Sequence, residues 1–292
     1  MNKSLAESAM MASRLEKATR HPTVIIQPTH GWLGLNLREL WAYRDLLVIL
    51  ATRDVKVRYK QTVLGIAWVV LQPLLMTVLF SLILGRLARM PSENLPYAVF
   101  TLAGLVPWNY FSGALARGGT SLVSNAQMIS KVYFPRLIIP AAGVLGGLPD
   151  FAVGFGVLIG VMLLYGIVPT LTVLWLPFFL LIAIVTVLGV SLWFSALHVQ
   201  YRDVNHLIPF IAQFWMFATP VVYPASLIPG RWRILYALNP MVGVVEGFRW
   251  ALFGMGKAPE LTLGVSIATV VVVFVTGLFF FRRMEKTFAD IV

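Results

Sequence analysis

Polar and apolar positions along this chain separate into long blocks instead of alternating. The segment 54–73 reads DVKVRYKQTVLGIAWVVLQP and turns within a few residues from basic (Lys56, Arg58, Lys60) to an unbroken apolar helix pattern. A Lys or Arg at a bilayer centre costs about 2.5–3.5 kcal/mol, so such a basic cluster stays at a membrane surface and marks a boundary. About 20 apolar residues cross roughly 30 Å of hydrocarbon. Blocks of that kind predict spans at residues 64–84, 97–115, 141–165, 171–197, 206–222 and 261–281. Proline at 73 and at 107 predicts kinks or breaks inside the first two.

Two segments depart from the pattern. Residues 37–59 place Leu37, Leu40, Trp41, Leu47, Val48, Leu50 and Ala51 at helical spacing between Arg and Asp residues. That stretch is too charged to span and suits an amphipathic helix lying in the membrane interface. Residues 223–260 hold four prolines and apolar pieces too short to cross. They read either as an extramembrane loop with two short helices or as a pair of re-entrant helices dipping partway into the bilayer. The second is the expectation. The predicted fold class is therefore an all-α polytopic membrane protein. It has six transmembrane helices, an N-terminal interface helix and short re-entrant helices before the last span. Residues 1–36 are expected to be a flexible cytoplasmic tail, and 37–292 the transmembrane domain.

Composition sharpens this picture. The chain has 292 residues, is 59% hydrophobic and only 12% charged, about half the charged share of a soluble domain. Net charge is +11. The basic residues sit in short segments beside apolar spans, which argues for anionic headgroups and against nucleic acid. Those of the tail, of 38–60, of 117–136, Arg202, Arg282, Arg283 and Lys286 fall on one side of a six-span topology. Only Arg86, Arg89, Arg231, Arg233, Arg249 and Lys257 fall on the other. The bias predicts both termini in the cytoplasm.

Catalytic chemistry has little to work with here. There is no cysteine, and the four histidines lack metal-ligand spacing, so no metal is expected. Gly256-Lys257 fails the phosphate-binding pattern twice, because Ala251 and Ala258 stand where Gly and Ser or Thr are needed. Asp150 is the one acidic residue inside a confident span. It reads either as a functional intramembrane carboxylate or as a helix–helix partner close to the span's end. Aromatic residues cluster where polar neighbours and breaks fall: Trp108, Tyr110, Phe111, Phe214 and Trp215. They read as interface belts and packing, or as the lining of a conduit along which sugar rings slide on aromatic faces.

DVKVRYKQTVLGIAWVVLQPLL, NAQMISKVYFPRLIIP, Tyr201-Arg202-Asp203 and LNPMVGVVEGFRWALFG together resemble the permease subunit of type-2 ABC transporters. The resemblance covers about residues 37–281, and its nearest branch is the exporters of O-antigen, capsule and teichoic acid. It implies a homodimer in the bacterial inner membrane, with two copies of a separate ATP-binding cassette subunit that holds ATP and Mg. The chain itself would bind no cofactor. The cargo would be a lipid-linked polysaccharide. By resemblance, Asn125, Gln127, Lys131, Tyr133 and Arg136 with Tyr201, Arg202 and Asp203 couple to the ATPase. Arg53, Lys56, Arg58 and Lys60 meet the lipid diphosphate or other headgroups. Asn239, Pro240, Glu246 and Arg249 belong to an outer gate. Rival readings are a type-2 ABC exporter of lipids or drugs, a membrane-embedded glycosyl- or acyltransferase, and a secondary transporter. The last two need buried acid–base or ion-coupling groups that the sequence does not display.

If the basic cluster attracts the lipid diphosphate, changing Arg58 and Lys60 together to Gln cuts glycan export and leaves membrane insertion intact. Surface glycan at the native level in that variant would refute the assignment.

Overall fold

The computed structural model describes residues 37–60, 65–254 and 260–288. The expected tail at 1–36 lies outside the described residues. The described residues form helices and turns, with no strand among them.

Two helices precede the first apolar block: α1 (Leu37–Ala42) and α2 (Arg44–Lys60). One side of α2 buries Leu50 with Ile138 and Ala142, flanked by Leu46, Leu47 and Ala51. Its other side leaves Val48, Ile49 and Val57 exposed beside Lys56 and Lys60. Apolar and basic side chains together on an outward face suit a headgroup boundary.

α3 (Ile66–Phe80) continues through a π-helical stretch, Ser81–Leu87. It runs through Pro73, whose carbonyl accepts from the Thr77 hydroxyl at 2.7 Å. α4 (Tyr97–Ser124) is one helix of 28 residues, about 42 Å at 1.5 Å per residue. The break expected near Pro107 is absent, since the helix is continuous there. Packing explains this: α4 is the centre of the bundle, buried over most of residues 99–122. It meets the α3 helix and every later long helix except the last.

After the short α5 (Ala126–Lys131), the third apolar block folds as two pieces, α6 (Ile138–Leu145) and α7 (Leu148–Leu164). One continuous span over 141–165 was expected. The joint is Gly146-Gly147, two adjacent residues of low helix propensity, and Arg117 uses the space they leave: a Cβ on Gly147 would lie 2.1 Å from one of its guanidinium nitrogens. A 3-10 turn (Leu171–Trp175) leads into α8 (Leu176–Gln200), followed by α9 (Val204–Phe217). Short helices α10 (Arg233–Ala237) and α11 (Pro240–Phe253) precede α12 (Glu260–Glu285).

Four helical stretches among the described residues are long and apolar enough to cross a membrane: Ala67–Leu87, Ile138–Leu164, Leu171–Gln200 and Thr262–Glu285. The other two predicted spans are helical but differ in kind. α4 is long, yet it carries Asn109, Arg117 and several Ser, Thr and Gly residues, as a helix enclosed by protein can. α9 has 14 residues, about 21 Å, and falls short of a full crossing unaided.

Small residues set the closest approach between long helices. A Cβ on Gly277 of α12 would lie 2.4 Å from the Gly189 carbonyl oxygen of α8, and one on Gly189 would lie 2.8 Å from the Phe274 Cα. Both obstacles are backbone and cannot rotate away. Trp193 and Phe280 stack beside this contact at 4.3 Å. Gly277→Ala is therefore expected to destabilise the bundle by about 1–3 kcal/mol, the usual cost of overpacking. The thermal midpoint of detergent-purified protein checks this. Gly264→Ala, where a Cβ meets nothing within 4 Å, should leave that midpoint unchanged.

Candidate functional site

The basic residues of α2 converge on the bundle at two places. Arg53 donates to Asn125 Oδ1 at 2.8 Å and to Asp54 Oδ1 at 2.9 Å. One to two turns later, Arg58 and Tyr59 both donate to the carboxylate of Asp150 near the start of α7. Arg117 from α4 approaches the same carboxylate at 3.5 Å and donates from Nε to the Gly143 carbonyl at 3.2 Å. Three helices thus meet at one acid. The side chains of Arg58, Arg117 and Asp150 are 29%, 25% and 23% exposed. Burial, then the hydrogen bond to Asp150, pushes the Tyr59 phenol up to about 12, so it stays a donor at neutral pH.

The two contacts differ in strength. Removing one partner from a buried ion pair costs roughly 3–5 kcal/mol, and the node around Asp150 lies toward the lower end because it is part-exposed. Exposed pairs such as Arg53 with Asp54 are worth about 0.2–1 kcal/mol. Of the two sequence readings of Asp150, the structure displays the helix–helix pairing. Tyr59 and Arg117 carried no mark in the sequence, because their meeting depends on the fold.

The residues assigned to ATPase coupling lie at this same end. Gln127, Lys131 and Tyr133 are exposed, and Ile129 and Phe134 anchor the segment from beneath. Arg136 turns inward and donates to the Glu285 carbonyl. Tyr201, Arg202 and Asp203 are exposed between α8 and α9. The result is an outward surface with polar groups and large side chains, Val132, Tyr133 and Tyr201, held on a buried base.

The five aromatic candidates fall into different environments. Trp108, Tyr110 and Phe111 are buried in the core. Phe111 packs edge-on against Trp215 at 5.0 Å, and Trp215 donates from Nε1 to Asn239 Oδ1 at 2.8 Å. Trp108, Tyr110 and Phe111 present no ring face to the exterior, and Trp215 is half-buried. Phe214 is 70% exposed. It shares an outward face of α9 with Leu207, Phe210 and Phe217, which are also exposed. The steps of three, four and three residues were readable in the sequence as one helical face.

At the opposite end, a non-helical stretch follows α9, and side chains meet its acceptors one after another. Asn239 donates to the Ala218 carbonyl at 3.0 Å and to Thr219 Oγ1 at 2.9 Å. Arg249 donates to the carbonyls of Pro220 and Val221, each at 2.6 Å, and to that of Phe100 at 3.3 Å. Its guanidinium lies 3.6 Å from the Phe100 ring centroid. The Tyr97 hydroxyl donates to the Val222 carbonyl at 2.5 Å. Asn239 also caps α11 by accepting from the Met241 amide, and Pro240 occupies the first turn. Glu246 is partly exposed one turn before Arg249. The four sequence candidates here therefore share one short helix and its cap. Tyr97, which completes the set, was missed because it lies more than a hundred residues away.

A helical bundle with apolar outward faces and its charges gathered at its ends is a multi-pass membrane protein. Residues 45–253 match the ABC-2 type transporter family, and the chain belongs to that family. It is similar to an O-antigen export system permease protein, RfbA, of Klebsiella pneumoniae, at 30% identity over 85% of this chain and 95% of the relative. A protein of the same name from Myxococcus xanthus is 31% identical over 85% and 96%. The polysialic acid transport protein KpsM of Escherichia coli is 24% identical over 80% and 91%.

Arg249→Met removes the donors to three buried carbonyls, each costing about 1–3 kcal/mol when left unpaired. The expected result is a sharp loss of monodisperse protein after detergent extraction. Arg249→Lys retains the charge but loses the planar fork, and should recover only part of the yield. Native yield from the Met variant would show that the fork is dispensable.

Proposed function

We propose that this chain is the membrane permease of an ATP-driven exporter that moves a lipid-linked polysaccharide, of O-antigen or capsule type, across the bacterial inner membrane. The observation that carries the reading is identity of about 30% to O-antigen export permeases over 85% of the chain. Several physical features support it.

In this reading the chain crosses the bilayer six times, with α4 and α9 joining the four apolar stretches and both termini in the cytoplasm. α2 is the interface helix. α10 and α11 are re-entrant elements of an outer gate, and the knot of Asn239 and Arg249 supplies the partners that backbone at membrane depth requires. Two copies assemble with two ATPase subunits, which bind ATP and Mg. The exposed surface of Gln127, Lys131, Tyr133 and Tyr201–Asp203 is the docking face.

The path for sugar lies between the two permease copies. The outward aromatic face of α9 (Phe210, Phe214, Phe217) suits it better than the enclosed Trp108, Tyr110 and Phe111. An aromatic face stacks on the C–H surface of a sugar ring without holding its hydroxyls, so a polymer can slide. Of the four basic candidates on α2, Lys56 and Lys60 are exposed and Arg58 is engaged by Asp150. The two lysines are therefore the main contacts for the lipid diphosphate, with Arg53 and Arg58 adding positive potential.

Co-expression with the ATPase subunit of the same exporter is expected to yield a two-plus-two assembly that hydrolyses ATP and supports surface glycan. ATP turnover by the purified chain alone, or termini that report from opposite compartments, would refute the reading.

A further inference from the structure

The geometry points to Asp150 as a positioning residue for transport, one that clamps α2 to the core so that the weaker contacts around Arg53 and Asn125 yield first when the ATPase pushes. This rests on the exporter reading above. Three observations carry it. First, α2 is held on α6 by Leu50 and on α4 and α7 by the shared carboxylate of Asp150, which Arg58, Tyr59 and Arg117 all approach. Second, glycines open the space in which Arg117 reaches the carboxylate. A Cβ on Gly143 would lie 3.2 Å from Arg117 backbone, and one on Gly147 would collide with its guanidinium. Third, α2 meets the corner between α4 and α5 by weaker contacts, the exposed hydrogen bond from Arg53 to Asn125 and the packing of part-buried Met128 against the Leu50 cluster. Asn125 closes α4 and opens the segment proposed to dock on the ATPase.

A push on that segment meets one strong joint and one weak joint on the same helix. The weak one slips first. α2 then stays with α4 and α7 while the docking corner moves away from it, and the motion reaches the spans instead of being absorbed at the membrane surface. The clamp is what makes the push productive.

The absence of native cysteine allows a direct test in membranes that carry the chain and its ATPase. Arg53→Cys with Asn125→Cys, bridged by a reducible thiol reagent, should lose at least about tenfold in export and recover when the bridge is cleaved. Asp150→Asn should keep assembly and ATP turnover within about twofold of the native complex and lose at least about tenfold in export. Asp150→Glu should restore export. Normal export by the bridged pair would overturn the proposal. So would Asp150→Asn losing assembly and turnover in step with export, which is the signature of a merely structural role. A native complex that neither assembles nor exports would instead sink the exporter reading itself, so the two failures are distinguishable.

Discussion

Inside a packed apolar bundle no water is on hand to meet a backbone carbonyl or a guanidinium, so any buried interruption of a helix and any buried charge must find partners within the protein. Most of the non-obvious architecture here follows from that constraint. α9 ends after 14 residues, and the chain that follows would expose one acceptor after another. Arg249, Asn239 and Tyr97 satisfy the carbonyls of residues 218, 220, 221 and 222, and the Thr219 carbonyl accepts from the Val221 amide. These donors come from α4 and from α11 with its cap, so the interruption ties three elements together. The buried arginine in turn requires those carbonyls, because no carboxylate among the described residues bonds it directly. Break and charge are stable only in combination.

The opposite end solves the same problem with a carboxylate. Arg117 lies on the helix at the centre of the bundle, and Asp150 with the carbonyl of Gly143 receives it. Gly147, one of the two glycines between α6 and α7, leaves the space that the guanidinium fills. A side chain at 147 would expel it. The interruption falls in the third block, where the sequence shows only small residues. At Pro107, where proline pointed to a break, the helix runs on.

That contrast marks how far the sequence could be read. Block lengths, the basic segment at Lys56–Lys60 and the amphipathic segment before it depend on local composition, and helix is found in each of those blocks, with bounds that differ for the second, third and fifth. The grouping of Asn239, Pro240, Glu246 and Arg249 is local as well, since they occupy one short helix and its cap. What stayed hidden was pairing at a distance. Arg58 and Asp150 are separated by 92 positions, and Arg249 and Phe100 by 149. Periodicity carries no information about which polar groups meet across helices. The break expected at Pro107 failed for a related reason: a lost backbone bond interrupts a helix only where its packing permits, and α4 is enclosed over most of residues 99–122.

The aromatic residues give the same argument a functional turn. Trp108, Tyr110 and Phe111 lie in a segment rich in polar neighbours, which made them candidates for a water-accessible path. Folded, they fill the core, and the Tyr110 hydroxyl donates to the Val144 carbonyl at 3.4 Å. α9 divides the roles by face. Its inner face buries Val204, Ile208 and Ala212, and its outer face holds Phe210, Phe214 and Phe217 in the open. A single copy thus has a packed interior with no need of a passage, and an aromatic surface that one chain alone does not cover. In the exporter proposed above, a wide polar cargo would pass where two such surfaces face each other, which would make transport a property of the seam between copies.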